Sequence, residues 1–235
     1  MIIAENLIKN YGPIEAVRDI SFSVNRGEIL GFLGPNGAGK TTVMRILTGF
    51  HFPDSGKVLI NNIPADENNI GFKNFIGYLP ENNPLYGDMT PKEYLRFSAE
   101  LRCIPKNNID DAVEKALKLC GLKNREQQRI DTLSRGYRQR VGLAQAILHD
   151  PPILILDEPA TGLDPNQIIE IRSIIKELGK EKTIIFSTHI LKEAESVCTR
   201  FLILNEGCIV HSGDISEGIN LEELFVSLTT RENEQ

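Results

Sequence analysis

Apolar and polar residues alternate in short runs along the N-terminal part of the chain, and turn-forming residues separate the runs. A period of two places successive side chains on opposite faces of a β-strand, so this pattern predicts strands. The predicted strands cover residues 2–8, 20–24, 28–33 and 55–60. The chain is therefore expected to begin with a β-rich region.

Apolar residues recur at helical spacing in the middle of the chain, over about residues 90–150. Thr90 and Glu93 have the types and spacing of a capping box, in which each side chain bonds the backbone N–H of the other residue. Pro91 suits the first turn of the helix that this box would start. Further helices are predicted at residues 109–120 and directly after the segment LSRG.

Strands that are apolar at every position alternate with helices in the last part of the chain. The predicted strands are 153–156, 183–188, 201–204 and 208–211, and the predicted helices are 164–179 and 190–198. Such strands are typical of a parallel sheet that is covered on both faces, and their alternation with helices indicates an α/β core. Because the helical block at 90–150 lies between two core strands, we predict that it is an inserted subdomain.

Composition narrows the classes of function. The chain has 235 residues, enough for one core with a subdomain, and its net charge of −6 argues against a nucleic-acid binder. No apolar run approaches the roughly 20 residues of a bilayer span, and the N-terminus does not resemble a signal peptide, so we expect a cytoplasmic protein. The four scattered cysteines are expected to be reduced thiols. His51, His149 and His211 fit no motif and are expected at the surface.

The segment GPNGAGKT at 34–41 matches the phosphate-loop pattern G-x-x-x-x-G-K-T at every fixed position. It follows a predicted strand, and in this context the backbone N–H groups of the loop point at phosphate oxygens. Lys40 is expected to neutralise charge on the β- and γ-phosphates, and the Thr41 hydroxyl is expected to bind Mg²⁺. The predicted nucleotide contacts of this loop are Gly34, Pro35, Asn36, Gly37, Ala38, Gly39, Lys40, Thr41 and Thr42.

The segment ILILDEP at 153–159 carries two carboxylates out of the end of a buried strand. Adjacent residues leave a strand in different directions, so the two acids can have different roles. Asp157 is expected to hold Mg²⁺ through water. Glu158 is expected to orient or deprotonate the water that attacks the γ-phosphate.

The segment LSRGYRQR at 133–140 has the features of a second anion site. Ser134 and Gly136 precede a helical pattern, and the first N–H groups of a helix favour anions. A γ-phosphate that is already held by residues 34–41 needs charge stabilisation on its open side. The Ser134 hydroxyl and the Gly136 N–H are suited to supply it.

The phosphate loop, LSRGYRQR, LILDEP, TGLD and His189 occur in the order and spacing of an ABC transporter ATP-binding subunit, and the chain resembles that family over residues 1–213. In the family, the signature loop of one subunit closes over ATP held by the other. The resemblance implies that Ser134 and Gly136 contact the nucleotide of a partner copy. It also implies an ATPase that uses ATP and Mg²⁺.

Other family positions map onto this chain one by one. Tyr11 corresponds to the aromatic residue that stacks on adenine, and Asp164 in TGLD to the loop across the dimer interface. His189 corresponds to the switch histidine near the γ-phosphate. The resemblance therefore implies that Lys40, Glu158 and His189 are the catalytic residues.

The chain departs from the family pattern in two places. Arg135 and Tyr137 replace a glycine and the glutamine of the common signature L-S-G-G-Q. Glu81 stands where the family usually has a glutamine that approaches Mg²⁺ and relays to the membrane subunit. With GYLPE and LSRGYRQRVGLAQA, the chain resembles the type-2 export group, and within it the ATP-binding subunit of gliding-motility-associated transporters.

The resemblance also implies the architecture and the assembly. The expected fold is α/β, a P-loop NTPase core with a mostly parallel sheet, an N-terminal antiparallel β subdomain and an inserted α-helical subdomain. The expected partners are a second ATPase subunit, as a homodimer or a heterodimer, and an integral membrane permease that contacts the groove around residues 81–90. The protein would then lie peripherally on the inner face of the cell membrane, and no nucleic acid would bind.

Three alternatives stay open at this point. An importer ATPase differs from an exporter ATPase in its partner and not in its chemistry. A soluble ABC ATPase acting on nucleic acid or ribosomes generally has two cassettes or a long coiled-coil insertion, and this sequence has neither. A plain P-loop kinase or GTPase leaves LSRG unexplained, and no guanine motif N-K-x-D is present.

The last residues, 214–235, are expected to form a short tail after the ATPase domain. Members of the export group often carry a further C-terminal domain. The segment LEELFVSLT resembles the terminal segment of that group, so we expect the further domain to be absent here.

Overall fold

The computed structural model describes residues 2–215 and 220–229, and its strands form two sheets. The strands are β1 (Ile2–Tyr11), β2 (Ile14–Val24), β3 (Ile29–Leu33), β4 (Ser55–Ile60), β5 (Ile63–Pro64), β6 (Ile76–Leu79), β7 (Ile153–Asp157), β8 (Thr183–Thr188), β9 (Arg200–Asn205) and β10 (Cys208–Asp214). The helices are α1 (Lys40–Leu47), α2 (Pro91–Leu101), α3 (Ile109–Leu119), α4 (Arg135–Ile147), α5 (Pro165–Gly179), α6 (Leu191–Val197) and α7 (Leu221–Thr229).

The larger sheet has the strand order β10-β9-β3-β8-β7-β6, and its strands are parallel except for the β9–β10 pair. The smaller sheet has the order β2-β1-β4-β5 and is antiparallel throughout. Every residue of β3, β7 and β8 is buried, which explains their continuous apolar sequences. The predicted α/β fold with an N-terminal antiparallel sheet is confirmed.

The helices α2, α3 and α4 follow β6 and precede β7 along the chain, and they pack on one another. The predicted helical insertion is therefore confirmed. The capping box at the start of α2 is present. The Thr90 N–H donates to Glu93 Oε2 at 2.8 Å, and the Glu93 N–H donates to Thr90 Oγ1 at 3.3 Å. These two hydrogen bonds satisfy donors that a helix start otherwise leaves open.

The helix α4 lies directly on β6. A Cβ atom added to Gly77 would lie 2.1 Å from the carbonyl oxygen of Ala146, so only glycine permits this approach. Beyond the strand, Asn83 Nδ2 donates to the carbonyl oxygen of Arg138 at 3.0 Å. The segment from β6 to Asn83 therefore contacts α4 near both ends of that helix.

The sequence patterns missed or shortened some elements. They did not predict β6, whose four residues are too short a run to distinguish from a turn-rich connection. They predicted only residues 20–24 of β2, which begins at Ile14. The left-handed residues Asn6 and Asp19 accompany register shifts in the β1–β2 pair, and such shifts break the period of two that the prediction relied on.

The three histidines that fit no motif, His51, His149 and His211, were expected at the surface, and all three are half-buried. The Nδ1 atom of His149 is enclosed, and its Nε2 lies 3.1 Å from the carbonyl oxygen of Ile76. Burial lowers the pKa of His149 to about 4, and the nearby charge of Arg102 acts in the same direction.

The helix α7 contacts β9 and α6, and its Leu221 is fully buried. The remainder of the predicted tail, residues 216–219 and 230–235, lies outside the described residues. Of the helices in the described part of the chain, none combines the length and the hydrophobicity that a bilayer span requires.

Candidate nucleotide site

The phosphate loop connects β3 to α1, which begins at Lys40. Gly37 and Gly39 have left-handed φ angles of 82° and 104°, which side chains with a Cβ rarely adopt. A Cβ on Gly39 would also lie 2.5 Å from the carbonyl oxygen of Ala16 on β2. The glycines therefore allow the loop to curl and to lie against the smaller sheet.

A cavity of about 760 Å³ opens over this loop, a volume that suits a nucleotide. Residues of β2, of α1 and of five connecting loops line it. They are Ile14, Glu15, Ala16, Arg18, Asn36, Gly37, Ala38, Gly39, Lys40, Thr41, Thr42, Glu81, Glu158, Thr161, His189 and Glu206. The strands β3, β6, β7 and β8 end at the same edge of the parallel sheet, and this explains why residues distant in sequence meet here.

Lys40 is buried at the floor of the cavity. Its Nζ donates to the carbonyl oxygens of Gly34 at 2.8 Å and Pro35 at 3.2 Å, and lies 3.4 Å from Glu158 Oε1. Gly34 and Pro35 thus enter the site through their backbones. The ammonium group is held where it can meet an anion that lies on the loop.

Asp157 ends β7 and is buried. Its Oδ1 accepts hydrogen bonds from Ser187 Oγ at 2.6 Å and Thr41 Oγ1 at 3.2 Å, whereas Oδ2 has no partner among the described residues. Burial raises the pKa of Asp157, while the hydrogen bonds from Ser187 and Thr41 oppose that shift. A buried carboxylate oxygen without a donor, next to a hydroxyl, fits a hard cation such as Mg²⁺.

Within residues 2–215 and 220–229, no group of three or more histidine, cysteine, aspartate or glutamate side chains could hold a metal on its own. Mg²⁺ usually keeps waters and takes phosphate oxygens as ligands, so it needs only one or two protein ligands. Thr41 and Asp157 suit such a site. Glu81 lines the same cavity, and its charge contributes to raising the pKa of Asp157.

Glu158 follows Asp157 in a left-handed conformation, with φ of 49°, which is strained for a residue with a Cβ. Its N–H donates to Ser187 Oγ at 2.9 Å. Its Oε2 accepts from Thr161 Oγ1 at 2.7 Å and lies 2.9 Å from His189 Nδ1. The turn therefore presents the Glu158 carboxylate to the cavity and to His189.

Sequence reasoning missed the lining residues from β2 and Glu206, and it missed Ser187 and Thr161, which hold the two acids. Ser187 contacts both acids, since its hydroxyl donates to Asp157 and accepts from the Glu158 N–H. Thr161 donates to Glu158. The signal that could have found Ser187 is a hydroxyl residue at the end of an otherwise apolar buried strand, TIIFST at 183–188.

Tyr11 is not among the residues that line the cavity. It ends β1, is 39% exposed, and its ring meets the ring of His51 edge-on at 5.8 Å. The residues of the smaller sheet that do line the cavity belong to β2, among them Ile14, which is 65% exposed. Ile14 is paired with Tyr11 across the hairpin.

Ser134, Gly136 and Asp164 are also absent from the cavity lining. Ser134 caps α4 and accepts a hydrogen bond from the Tyr137 N–H at 3.4 Å. Asp164 caps α5, and a Cβ on Gly136 would lie 2.4 Å from the Gln167 side chain of that helix. The signature segment and the TGLD loop thus lie beside each other, apart from the nucleotide cavity of the same chain.

Comparison with known proteins identifies the family. The family model described as ABC transporter matches residues 17–161. The uncharacterized ABC transporter ATP-binding protein YxlF of Bacillus subtilis is 40% identical over 218 residues, which cover 92% of this chain and 72% of that protein. The bacitracin transport ATP-binding protein BcrA of Enterococcus faecalis is 39% identical over 219 residues, which cover 92% of this chain and 70% of BcrA.

Among solved structures, the dimeric structure of MJ0796, a bacterial ABC transporter cassette, superposes with a TM-score of 0.84 at 25% identity. The match covers 92% of this chain and 99% of that chain. The likeness to gliding-motility-associated transporters stays a prediction. The fold, the phosphate loop and these relatives agree, and the chain belongs to the ABC transporter family as an ATP-binding subunit that hydrolyses ATP.

Proposed function

We propose that this ATPase subunit drives export across a membrane as a head-to-tail dimer that encloses two Mg·ATP. The observation that carries the proposal is the separation of two phosphate-binding features within one chain. The phosphate loop lies in the cavity, whereas Ser134, which is exposed, and Gly136, which is buried beside Gln167, lie outside it at the start of α4. A second copy would bring its own helix start over the open side of the phosphates.

Within one nucleotide site, residues 36–42 would hold the phosphates, and Lys40 would exchange its carbonyl partners for β- and γ-phosphate oxygens. Thr41 and Asp157 would hold Mg²⁺, with Glu81 near it. The ion would supply neutralisation of phosphate charge. Base stacking by Tyr11 would require its ring to turn from His51 toward the cavity.

Glu158 would act on the attacking water. Its carboxylate is directed into the cavity by a strained backbone and by the Thr161 hydroxyl, and it can accept the proton of a water near the γ-phosphate. His189 lies beside it and would contact the γ-phosphate while its Nδ1 faces Glu158. Ser134 and Gly136 of the partner would donate to the same phosphate, and Asp164 would lie across the interface.

The transport partner would be an integral membrane permease, with the ATPase at the inner face of the membrane. The segment 81–90 joins the nucleotide cavity to the helical subdomain. It carries Tyr86, which is 55% exposed and contacts Phe97 of α2, and Phe50, which is 69% exposed, lines a small cavity together with Glu81 and Pro84. We assign the ATPase domain to residues 1–213 and the tail to 214–235.

The dimer is tested with covalently linked copies in two arrangements. In the first, one copy carries Lys40→Ala and the other Ser134→Arg, and in the second, one copy carries both changes. If each site combines the loops of two copies, the first arrangement retains one intact site and the second retains none. We expect more ATP hydrolysis from the first arrangement. Higher activity from the second would show that both loops act within one chain.

Equal rates near zero in both linked dimers would mean that the two sites work only together. Dimer formation with ATP is then measured in a Glu158→Gln background by light scattering. The membrane partner is tested by purifying the tagged protein from its own host in detergent. We expect a multispanning membrane protein in stoichiometric amount, and nucleic acid in its place would favour a soluble ABC ATPase.

A further inference from the structure

Two buried polar side chains lie close to His189 in the sequence, one before it and one after it. The roles proposed above do not explain them. Thr188, the last residue of β8, and Glu193, in the first turn of α6, are 1% and 3% exposed. The Thr188 hydroxyl donates to Glu193 Oε2 at 2.6 Å. The same hydroxyl accepts a hydrogen bond from the Ile190 N–H at 3.0 Å.

The carboxylate of Glu193 is costly to bury. Its Oε1 has no hydrogen-bond partner within the described ranges, and the same is true of the buried Nε of Arg172 on the neighbouring helix α5. Burial raises the pKa of Glu193, while the Thr188 hydrogen bond and the charge of Arg172 act against that shift. A glutamate that only began a helix could do so from the surface, without this cost.

The hydrogen bonds give the Thr188 hydroxyl a defined direction. A hydroxyl has one proton and rotates freely unless an acceptor holds that proton. Glu193 accepts it, and this leaves the oxygen lone pairs facing the Ile190 N–H. The residues on both sides of His189 are therefore linked through one oriented oxygen atom.

We propose that Glu193 is a positioning residue for His189 and that it acts through the Thr188 hydroxyl. This inference rests on the proposed role of His189 at the γ-phosphate. With the backbone on both sides of His189 held, its Nδ1 is directed at Glu158 Oε2, 2.9 Å away, and its other ring nitrogen has a fixed direction. The positive charge of Arg172 on α5 favours the ionised form of Glu193 and so opposes the cost of its burial.

The first test compares Thr188→Val with Thr188→Ser. Valine keeps the shape of threonine but has no hydroxyl, whereas serine keeps the hydroxyl. We expect Thr188→Val to lower kcat about tenfold, the equivalent of one lost hydrogen bond, with little change in KM or in ATP affinity. Thr188→Ser should restore most of kcat. Glu193→Gln, whose amide oxygen can still accept from Thr188, should be less impaired than Glu193→Met.

A double-mutant cycle decides whether the effect passes through His189. In a His189→Ala background, Thr188→Val should cause no further loss of kcat. An equal loss in both backgrounds would overturn the inference and leave the role of His189 intact. Unchanged hydrolysis in His189→Ala alone would instead overturn that role, and this inference with it.

If His189→Ala abolishes hydrolysis, the double-mutant cycle has no rate to compare. The His189 ring is then observed directly by nuclear magnetic resonance. We expect the Cε1–H signal of His189 to move in Thr188→Val and to return in Thr188→Ser. Thermal unfolding of each variant checks that the fold is retained. An unmoved signal in a folded Thr188→Val protein would refute the positioning role.

Discussion

At the scale of single residues, three polar side chains surround the Glu158 carboxylate. Thr161 and His189 lie at one oxygen, and the Lys40 ammonium lies 3.4 Å from the other. Together these contacts hold the carboxylate of a residue whose backbone is in the left-handed region. The geometry suits a base that must act on one water in one place.

Replacing Glu158 with glutamine keeps this shape but removes the ability to accept a proton. We expect Glu158→Gln to retain ATP binding and to lose about 10²–10⁴-fold in turnover, the usual contribution of a general base. Steady-state phosphate release and titration with a fluorescent ATP analogue measure the two effects. Glu177→Gln, a change on the exposed face of α5, is the matched control and should leave both unchanged. Normal turnover in Glu158→Gln would exclude the base assignment.

His149 gives a pH-dependent contribution to stability whose sign follows from its pKa. Burial lowers the pKa of His149 to about 4 from the ordinary value near 6.5, so the unfolded chain binds a proton that the folded chain does not. This contribution is present above pH 6.5 and is lost as the pH falls toward 4. Urea unfolding over that range should show a smaller loss of stability in His149→Gln than in the parent. Parallel curves would contradict the prediction.

The sequence predicted residues that the structure brings together around the phosphate loop, because the motifs that carry them are local. Lys40, Asp157 and Glu158 each lie in a short segment whose chemistry follows from its own residues. Ser187 was missed because a hydroxyl in a buried strand becomes informative only when its neighbours in the sheet are known. The direction of the Tyr11 side chain could not be predicted from the sequence either, since a residue at the end of a hairpin can face either side of the sheet.

At the scale of elements, the contact between β6 and α4 depends on glycine at position 77, which has no side chain. The carbonyl oxygen of Ala146 lies where a Cβ of residue 77 would be, and it belongs to the backbone, so it cannot turn away. Sequence periodicity gave α4 correctly, but it could not give this contact. The position of β6 beside β7 is set by pairing between residues far apart in the chain.

We expect Gly77→Ala to lower the free energy of unfolding by about 1–3 kcal/mol, the usual cost of overpacking a core. Urea denaturation measures the change. Gly71→Ala is the control, because a Cβ there would meet only the Asn69 side chain, at 3.2 Å, in an exposed turn. If the two variants were equally stable, the close approach of β6 and α4 would be refuted.

At the scale of the whole molecule, the segment that follows β6 and the helix α4 belong to one packed unit. Glu81 lies in that segment and lines the nucleotide cavity of its own chain, while Ser134 caps α4 and lies outside that cavity. Glu81 and Arg135 also line a second, smaller cavity together. One packed unit thus reaches two different places in the proposed dimer.

In the proposed dimer, this packed unit predicts thermodynamic linkage between the two nucleotide sites. If Ser134 closes on the partner's ATP, the same displacement moves Glu81 relative to the ATP of its own chain, so neither site binds independently of the other. Linkage of this kind is reciprocal, and it gives a hydrolysis rate that rises with ATP concentration with a Hill coefficient above one. Gly77→Ala, which disturbs the joint between the two elements, should bring that coefficient closer to one.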